Sequence, residues 1–523
     1  MTKKYDCVIF TDNANPLVAQ KALGAYKVAH ILRQHGYSCL VIDHLHFFTI
    51  EELHSLLEMC ISDQTKFVGF STGFFSNIEN IDIRIAQQFG VMNFNKSFFP
   101  QGKDFENQFL QKLKQLNSNC KIVLGGPQIM LDQLSNKNVN YVVIGYAEVS
   151  VISLMRHLES GQSLDNSYKN LYGVVIVDDR TASEYDFKTC TMHWLPEDVM
   201  GTRVLPIEIS RGCIFNCKYC QYPMRGKKGN DFLRSSDLIR DELQYNYDNY
   251  GVETYYILDD TFNDNDEKLD SMLEAVQQLT FKPIFWCYAR LDLFYNKPER
   301  VDKIYNIGVR SMFLGIETFN REAGTAIGKG MHSHKQTETL RYIRNKYGND
   351  LLLHGNFIIG LPGETEDSIK NTVQMIISGE APLHTVLFPP LRIFKGSNWW
   401  SSEIDLNYEK FGYKEISNEN NQLSELYNRF NSGINADFLA WDNGTMTYQD
   451  ALRISQECFK ATNHIRYLPN YAMWEMIDHG HKFDELKELK ATQMDPIKLR
   501  SEKFKKISKY KTNLFKMLTT ESK

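Results

Sequence analysis

The sequence predicts an α/β protein: an N-terminal doubly wound parallel sheet, a second set of parallel strands, and a mostly helical C-terminal accessory region. Three observations carry this. Short apolar strands alternate with amphipathic helices from Tyr5 to about Gly161. Six further strand-helix repeats follow between Gly201 and about residue 395. Beyond Pro389-Pro390 a polar stretch leads into apolar residues at helical spacing. The expected division is 1–165, a connector hairpin at 166–200, a catalytic domain at 201–395, and an accessory domain at 396–523.

Composition sets the class. The chain has 523 residues, 42% hydrophobic and 24% charged, as in ordinary soluble globular proteins with room for two to four domains. A net charge of -5 argues against generic nucleic-acid binding. No apolar run approaches the ~18 residues that span a bilayer. The N-terminus runs into a short strand, not an apolar signal core, and seven of the ten cysteines are scattered singly in apolar segments. Those features predict a reduced, cytoplasmic protein without a membrane segment.

In the first sheet the strands are expected at residues 7–10, 38–42, 67–71, 122–124 and 141–144, in the order 2-1-3-4-5. Between the first two, Val18, Ala22, Ala25, Ala29 and Leu32 share a helix face that Gly36 closes. The carboxyl ends of the strands carry Asp12-Asn13, Asp43, Ser71-Thr72-Gly73, Gly125-Gly126-Pro127 and Gly145-Tyr146-Ala147-Glu148. Glycine turns let a ligand approach the backbone, so this edge is a candidate cofactor site, although ordinary strand-to-helix turns look the same. An aromatic-rich excursion at 89–105 is a candidate lid. Residues 171–177 read as a strand ending in the turn Asp178-Asp179-Arg180, a hairpin between domains.

The catalytic strands are expected at 207–209, 255–258, 284–288, 311–315, 352–359 and 386–391. Their carboxyl ends are polar: Asp259-Asp260-Thr261-Phe262, Tyr288-Ala289-Arg290-Leu291-Asp292, Gly315-Ile316-Glu317-Thr318, and residues 359–365. Any one of these acids alone reads as a helix cap or a loop ion pair. In order, each at a strand end, they read as a site.

After the first of these strands comes Arg211-Gly212-Cys213-Ile214-Phe215-Asn216-Cys217-Lys218-Tyr219-Cys220, with spacing C-x3-C-x2-C. Three thiolates in eight residues can hold three corners of a cubane cluster and leave one iron open. A zinc site wants a fourth ligand, and no cysteine or histidine follows Cys220 before Cys287. A disulfide would leave one thiol over.

At these residues the sequence resembles the radical S-adenosylmethionine (SAM) superfamily. The resemblance implies that Cys213, Cys217 and Cys220 ligate a [4Fe-4S] cluster whose open iron takes SAM. It implies a partial (β/α)6 barrel in residues 201–395. Tyr219 would lie on the adenine side of SAM, Arg290 and Glu317 would touch its polar groups, Asp259 or Asp260 would orient it or the substrate, and the 358–361 segment, with Ile358 and Gly360, would offer backbone to adenine. The element order before the cysteines resembles the Rossmann-like cobalamin-binding domain of one branch of that superfamily. By that resemblance Ser71, Thr72, Gly125, Gly126, Gly145 and Glu148 would face cobalamin. The D-x-H-x-x-G motif that supplies a cobalt ligand in many corrinoid proteins is absent, the chain reading Thr11-Asp12-Asn13-Ala14-Asn15-Pro16 after the first strand.

The implied chemistry is reductive cleavage of SAM to a 5'-deoxyadenosyl radical and, with cobalamin, C-methylation of a small-molecule substrate, fed by an electron donor such as flavodoxin or ferredoxin. The alternatives are a radical cyclase, oxidase or rearrangement enzyme without methyl transfer, and a non-catalytic Fe-S or corrinoid carrier or sensor. A tRNA methylthiotransferase would need a second cysteine triad before the first. In the C-terminal region Thr447 is the expected N-cap of a helix over 448–463, and such helices would cover the barrel mouth. Trp399, Trp400 and Trp441 are candidate substrate or corrin contacts, weighed against a core role. Residues 498–523 read as a solvated lysine-rich helix, with an RNA-binding tail as the alternative.

Overall fold

Successive residues along each central strand are buried on opposite faces of the first sheet, and the rest of the chain is built on those two faces. The computed structural model describes residues 4–12, 21–71, 103–126, 138–170, 173–179, 185–222, 224–226, 232–395, 400–416 and 439–520. Strands β1 (Cys7–Phe10), β2 (Cys39–Ile42), β3 (Phe67–Ser71), β4 (Lys121–Gly126), β5 (Tyr141–Gly145), β6 (Ser167–Lys169) and β7 (Val175–Asp179) form one sheet of order β2-β1-β3-β4-β5-β7-β6. The first five strands stand in the order expected from sequence. Cys7, Ile9, Val41, Val123 and Val143 point to the face covered by α1 (Leu23–Gln34) and the helix over Ser150–Ser160. Val8, Phe10, Leu40, Ile42, Val68 and Phe70 point to the other, covered by α2 (Ile50–Cys60) and α3 (Lys103–Leu116). The helix over Ser150–Ser160 is α4.

The connector hairpin is corrected in two ways. Its turn lies at Asn170–Val174, where Val174 N donates to Asn170 Oδ1, and not at Asp178-Asp179. It also does not stand between domains: β7 pairs in parallel with β5, from Tyr141↔Val175 to Gly145↔Asp179, and so extends the first sheet. The reason is that buried Ile176 and Val177 supply the apolar edge that β5 needs on its open side.

The second sheet is parallel and sequential: β8 (Val204–Ile207), β9 (Thr254–Ile257), β10 (Ile284–Ala289), β11 (Val309–Glu317), β12 (Leu352–Phe357) and β13 (Thr385–Leu387), paired in that order. Leu205, Ile257, Cys287, Met312 and Leu353 face outward and join the core that includes α5 (Ser236–Tyr250), α6 (Asp266–Gln277), α7 (Leu291–Asn296), α8 (Glu299–Ile307), α9 (Arg321–Ala326), α10 (Ser333–Tyr347) and α11 (Glu366–Ile377). The opposite set, Val204, Tyr256, Trp286 and Leu352, faces inward near the strand amino ends.

Those inward residues meet the C-terminal region, which contains α12 (Glu403–Asn407), the pair β14 (Lys414–Glu415) and β15 (Trp441–Asp442), α13 (Tyr448–Thr462), α14 (Asn470–Asp478), α15 (Phe483–Leu486) and α16 (Pro496–Thr520). Thr447 caps α13 through a reciprocal box with Asp450, as its position predicted. Met473, Ile477 and Phe483 of α14 and α15 pack against Val204, Tyr256 and Trp286, so these helices floor the second sheet instead of covering its mouth. Trp400 and Trp441 are 1% and 0% exposed, and Trp441 Nε1 donates to Leu391 O at 3.0 Å. Both are core residues and not ligand contacts; Trp399 and residues 89–102 lie outside the described residues. Helix α16 is not solvated either. Its Tyr510, Leu514 and Leu518 are buried in the α2 face of the first sheet, and Tyr510 Oη accepts from Asp43 N at 2.9 Å. Among the described residues no helix is long and apolar enough to cross a membrane.

Candidate functional site

Strand β8 ends at Ile207, and the chain then turns across the carboxyl end of the sheet. Gly212 takes a φ of +91°, a left-handed turn in which glycine carries no penalty. The cysteine loop is pinned from several directions. Cys213 N donates to Met224 O (3.2 Å), Gly226 N to Phe215 O (2.8 Å), Lys218 N to Ile327 O (3.1 Å) and Ile404 N to Lys218 O (2.9 Å). Asp259 braces its base by accepting from Ile209 N, Ser210 N and Ser210 Oγ, with Lys268 Nζ 3.3 Å away. That carboxylate is therefore structural, and of the two candidate acids only Asp260 is exposed to the crevice. Burial and the neighbouring Asp259 raise the Asp260 carboxyl to about 7, against a hydrogen bond from Tyr222.

The loop brings the three cysteines together at the strand ends. Cys213 Sγ lies 3.4 Å from Thr261 Oγ1, Tyr222 N donates to Cys220 Sγ at 3.4 Å, and Arg290 Nη1 donates to Cys217 Sγ at 3.2 Å. Burial pushes the Cys213 thiol up and the Cys220 thiol up to about 11, so both hold protons at neutral pH until a metal displaces them. Among the described residues no three His, Cys, Asp or Glu side chains converge on a single ion position. Sulfurs that hold separate corner irons of a cubane need not converge in that way, so the donor set and its spread fit a cluster.

Beside Cys217 stands a second constellation. Tyr219 Oη donates to Glu317 Oε1 at 2.7 Å, Lys329 Nζ donates to the same oxygen at 2.8 Å and to Gly315 O at 2.8 Å, and Asn356 Nδ2 reaches Oε2 at 3.4 Å. Glu317 sits at φ +65°, where β11 shifts register against β12, and this turns its carboxylate back over the strand end. Ile358 N donates to Glu317 O at 2.9 Å. Tyr219, Arg290, Glu317 and Ile358 thus lie together. Gly360 does not join them. Its N–H donates to Glu364 Oε2 (3.0 Å), its carbonyl accepts from Tyr413 Oη (2.7 Å), and Trp441 covers its Cα. Sequence reasoning missed Lys329 and Asn356; the former lies in Gly328-Lys329-Gly330, a signal that glycine flanks alone left weak.

At the carboxyl edge of the first sheet a cavity of about 360 Å³ opens among Ser71, Gly125, Gly126, Gly145, Tyr146 and Glu148. Its far wall belongs to the second sheet: Glu208, Arg211 and Leu258. Of the candidates on this edge, Asp43 is elsewhere, accepting from Tyr26 Oη at 2.8 Å, and Thr72 lies outside the described residues. No histidine is among the described lining residues, in keeping with the missing D-x-H-x-x-G motif. The cavity is largely apolar apart from a buried charge cluster that sequence reasoning did not find. Lys27 Nζ lies 2.6 Å from Glu208 and 3.9 Å from Glu148; Arg211 binds Glu208 at 2.7 Å and also pairs with Glu148. The two cations hold the Glu208 carboxyl down to about 2 despite burial. Glu148 Oε2 and Arg211 Nη1 are fully buried and lack a hydrogen-bond partner. Glycines without side chains at the strand ends and largely apolar walls are compatible with the face of a flat macrocycle such as the corrin of cobalamin.

Residues 207–376 match the radical SAM superfamily. Over 282 residues the chain is 26% identical to an uncharacterized methyltransferase of Pyrococcus horikoshii, covering 50% of this chain and 58% of that protein. Over 193 residues it is 24% identical to the bacteriochlorophyllide d C-12(1)-methyltransferase of Chlorobaculum tepidum, covering 36% and 41%. The chain thus spans about half the length of these curated relatives. The fold resembles that of the radical S-adenosylmethionine methyltransferase TsrM from Kitasatospora setae, solved with cobalamin and a [4Fe-4S] cluster, with a TM-score of 0.64 at 14% identity over 95% of this chain and 99% of that one. It also resembles the cobalamin-dependent S-adenosylmethionine radical enzyme OxsB, with a TM-score of 0.55 at 18% identity over 77% and 56%. The stretch that matches the radical SAM superfamily, residues 207–376, spans the cysteine loop and strands β9 to β12 of the six-stranded parallel sheet.

Proposed function

We propose that the protein is a cobalamin-dependent radical SAM enzyme that methylates carbon in a small-molecule substrate. One observation carries the reading: the cavity at the first sheet is walled by Glu208 and Arg211, which lead directly into the cysteine loop, so the two cofactor places adjoin. Cys213, Cys217 and Cys220 hold the cluster. Glu317, held by Lys329 and Tyr219, presents a fixed carboxylate to the amino group of SAM, and Ile358 offers backbone nearby. Asp260 is open to the crevice and takes either the cofactor or the substrate. Ser71, Gly125, Gly126, Gly145 and Glu148 hold the corrin ring. When bound, the cluster supplies the electron that cleaves SAM, and cobalamin supplies a transferable methyl group. The chain's part is to orient these groups and to exclude water.

Exposed Leu258 and Tyr288 give the crevice an apolar lining at the strand ends. All ten cysteines are free thiols, in keeping with a reducing cytoplasmic setting, and the electron donor proposed with this function is a flavodoxin or ferredoxin.

The test is anaerobic reconstitution of protein expressed with cobalamin. Expected are bound iron and sulfide, corrin absorbance, and release of 5'-deoxyadenosine with S-adenosylhomocysteine. Deoxyadenosine without S-adenosylhomocysteine would replace methyl transfer with another radical outcome. SAM cleavage that survives Cys217→Ala would overturn the whole reading.

A further inference from the structure

Arg290 is built into the site more tightly than a cofactor contact requires. Asp292 holds its Nε at 3.0 Å and its Nη2 at 2.7 Å, the guanidinium lies 3.8 Å from the centre of the Phe215 ring, and the backbone is fixed both ways to Asn263 at 2.9 Å. The residue is 6% exposed. With one edge clamped and one face stacked, the remaining nitrogen, Nη1, is aimed at Cys217 Sγ at 3.2 Å. The other two sulfurs meet neutral partners, Thr261 Oγ1 and the Tyr222 amide.

We propose that Arg290 is a positioning residue that raises the reduction potential of the cluster by donating a charge-assisted hydrogen bond to the Cys217 sulfur. This rests on the cysteines being cluster ligands, as proposed above. Adding one electron to a thiolate-ligated cluster increases the negative charge on its sulfurs. A fixed cationic donor stabilises that charge, as hydrogen bonds to sulfur generally do. The electron comes from an external one-electron donor, which is oxidised, and no bond at Cys217 forms or breaks. Asp292 keeps the fork aligned and so prevents the guanidinium from turning away to a bound carboxylate.

The experiment is potentiometric titration of the reconstituted protein without SAM, followed by the EPR signal of the reduced cluster. Wild type, Arg290→Lys and Arg290→Gln are compared at matched iron and sulfide content, with circular dichroism as the check on folding. The expected result is a lower midpoint potential in Arg290→Gln and an intermediate one in Arg290→Lys. A wild-type midpoint at full cluster content, with only SAM binding weakened, would overturn the inference and leave the function intact. Should both variants fail to fold, pulsed EPR on wild type exchanged into D2O decides. The deuteron count is compared with protein carrying 15N-arginine: a 15N coupling to the reduced cluster supports the bond from Arg290, and its absence overturns it. A wild-type protein that assembles no cluster overturns the proposed function, and this inference with it.

Discussion

Gly360 shows how one residue separates a structural role from a functional one. A Cβ there would lie 2.3 Å from Trp441 Cη2, and its φ of +88° disfavours any side chain. Gly360→Ala should therefore cost about 2–4 kcal/mol in denaturant unfolding, through overpacking and backbone strain. Its partner Glu364 is buried without a cation, and desolvation raises its carboxyl to about 7. The folded state favours the protonated acid, whereas the unfolded chain loses that proton near the ordinary value of ~4.3. Stability should thus fall as pH rises from about 4.5 to 7 and then level off. Glu364→Gln, whose carbonyl oxygen can accept from Gly360 N while its amide donates to Thr318 Oγ1, should flatten that slope when unfolding is measured at pH 5 and pH 7.5. The three cysteines were legible because thiolate spacing is itself the chemistry. Asp259 and Gly360 were harder to assign, because an acid or a glycine at a strand end looks the same whether it braces the backbone or faces a ligand. Only the partners of Asp259 at Ile209 and Ser210, and Trp441 over Gly360, distinguish the two.

Helix α16 makes the same point for an element. Its lysines dominate the sequence, yet Leu499, Lys503, Ile507, Tyr510, Leu514 and Leu518 recur at intervals of three or four and are all buried. Five apolar residues and one long aliphatic stem form a seam that the basic composition hid. Leu514→Ala should cost about 2–4 kcal/mol in denaturant unfolding, whereas the same change on a solvated helix would be nearly neutral. Tyr510→Phe should cost about 1 kcal/mol by the same measurement, the loss of the bond to Asp43 N. Strands β1 to β5 were readable because each is a short apolar run between turns. The hairpin β6–β7 was misplaced because pairing to β5 is a long-range choice that local pattern does not encode.

At the scale of the molecule, the junction of the two sheets is held by charge inside an apolar wall. Lys27 comes from α1, Glu148 from the turn after β5, and Glu208 and Arg211 from the cysteine loop. Lys27→Met would leave two buried carboxylates facing one guanidinium. It should destabilise the protein by about 3 kcal/mol in denaturant unfolding and respond little to added salt, since buried pairs are weakly screened. Nothing in the sequence announces this cluster, because Lys27, Glu148 and the Glu208–Arg211 pair are far apart in the chain. The docking of α16 has a consequence for synthesis. The contact between Asp43 and Tyr510 closes over 467 positions of chain, so the strip of the first sheet that α2 and α3 leave to α16 stays uncovered until that helix has been made. A nascent protein stalled before residue 496 should bind holdase chaperones through that uncovered strip, and the docking of α16 is the event that ends their hold.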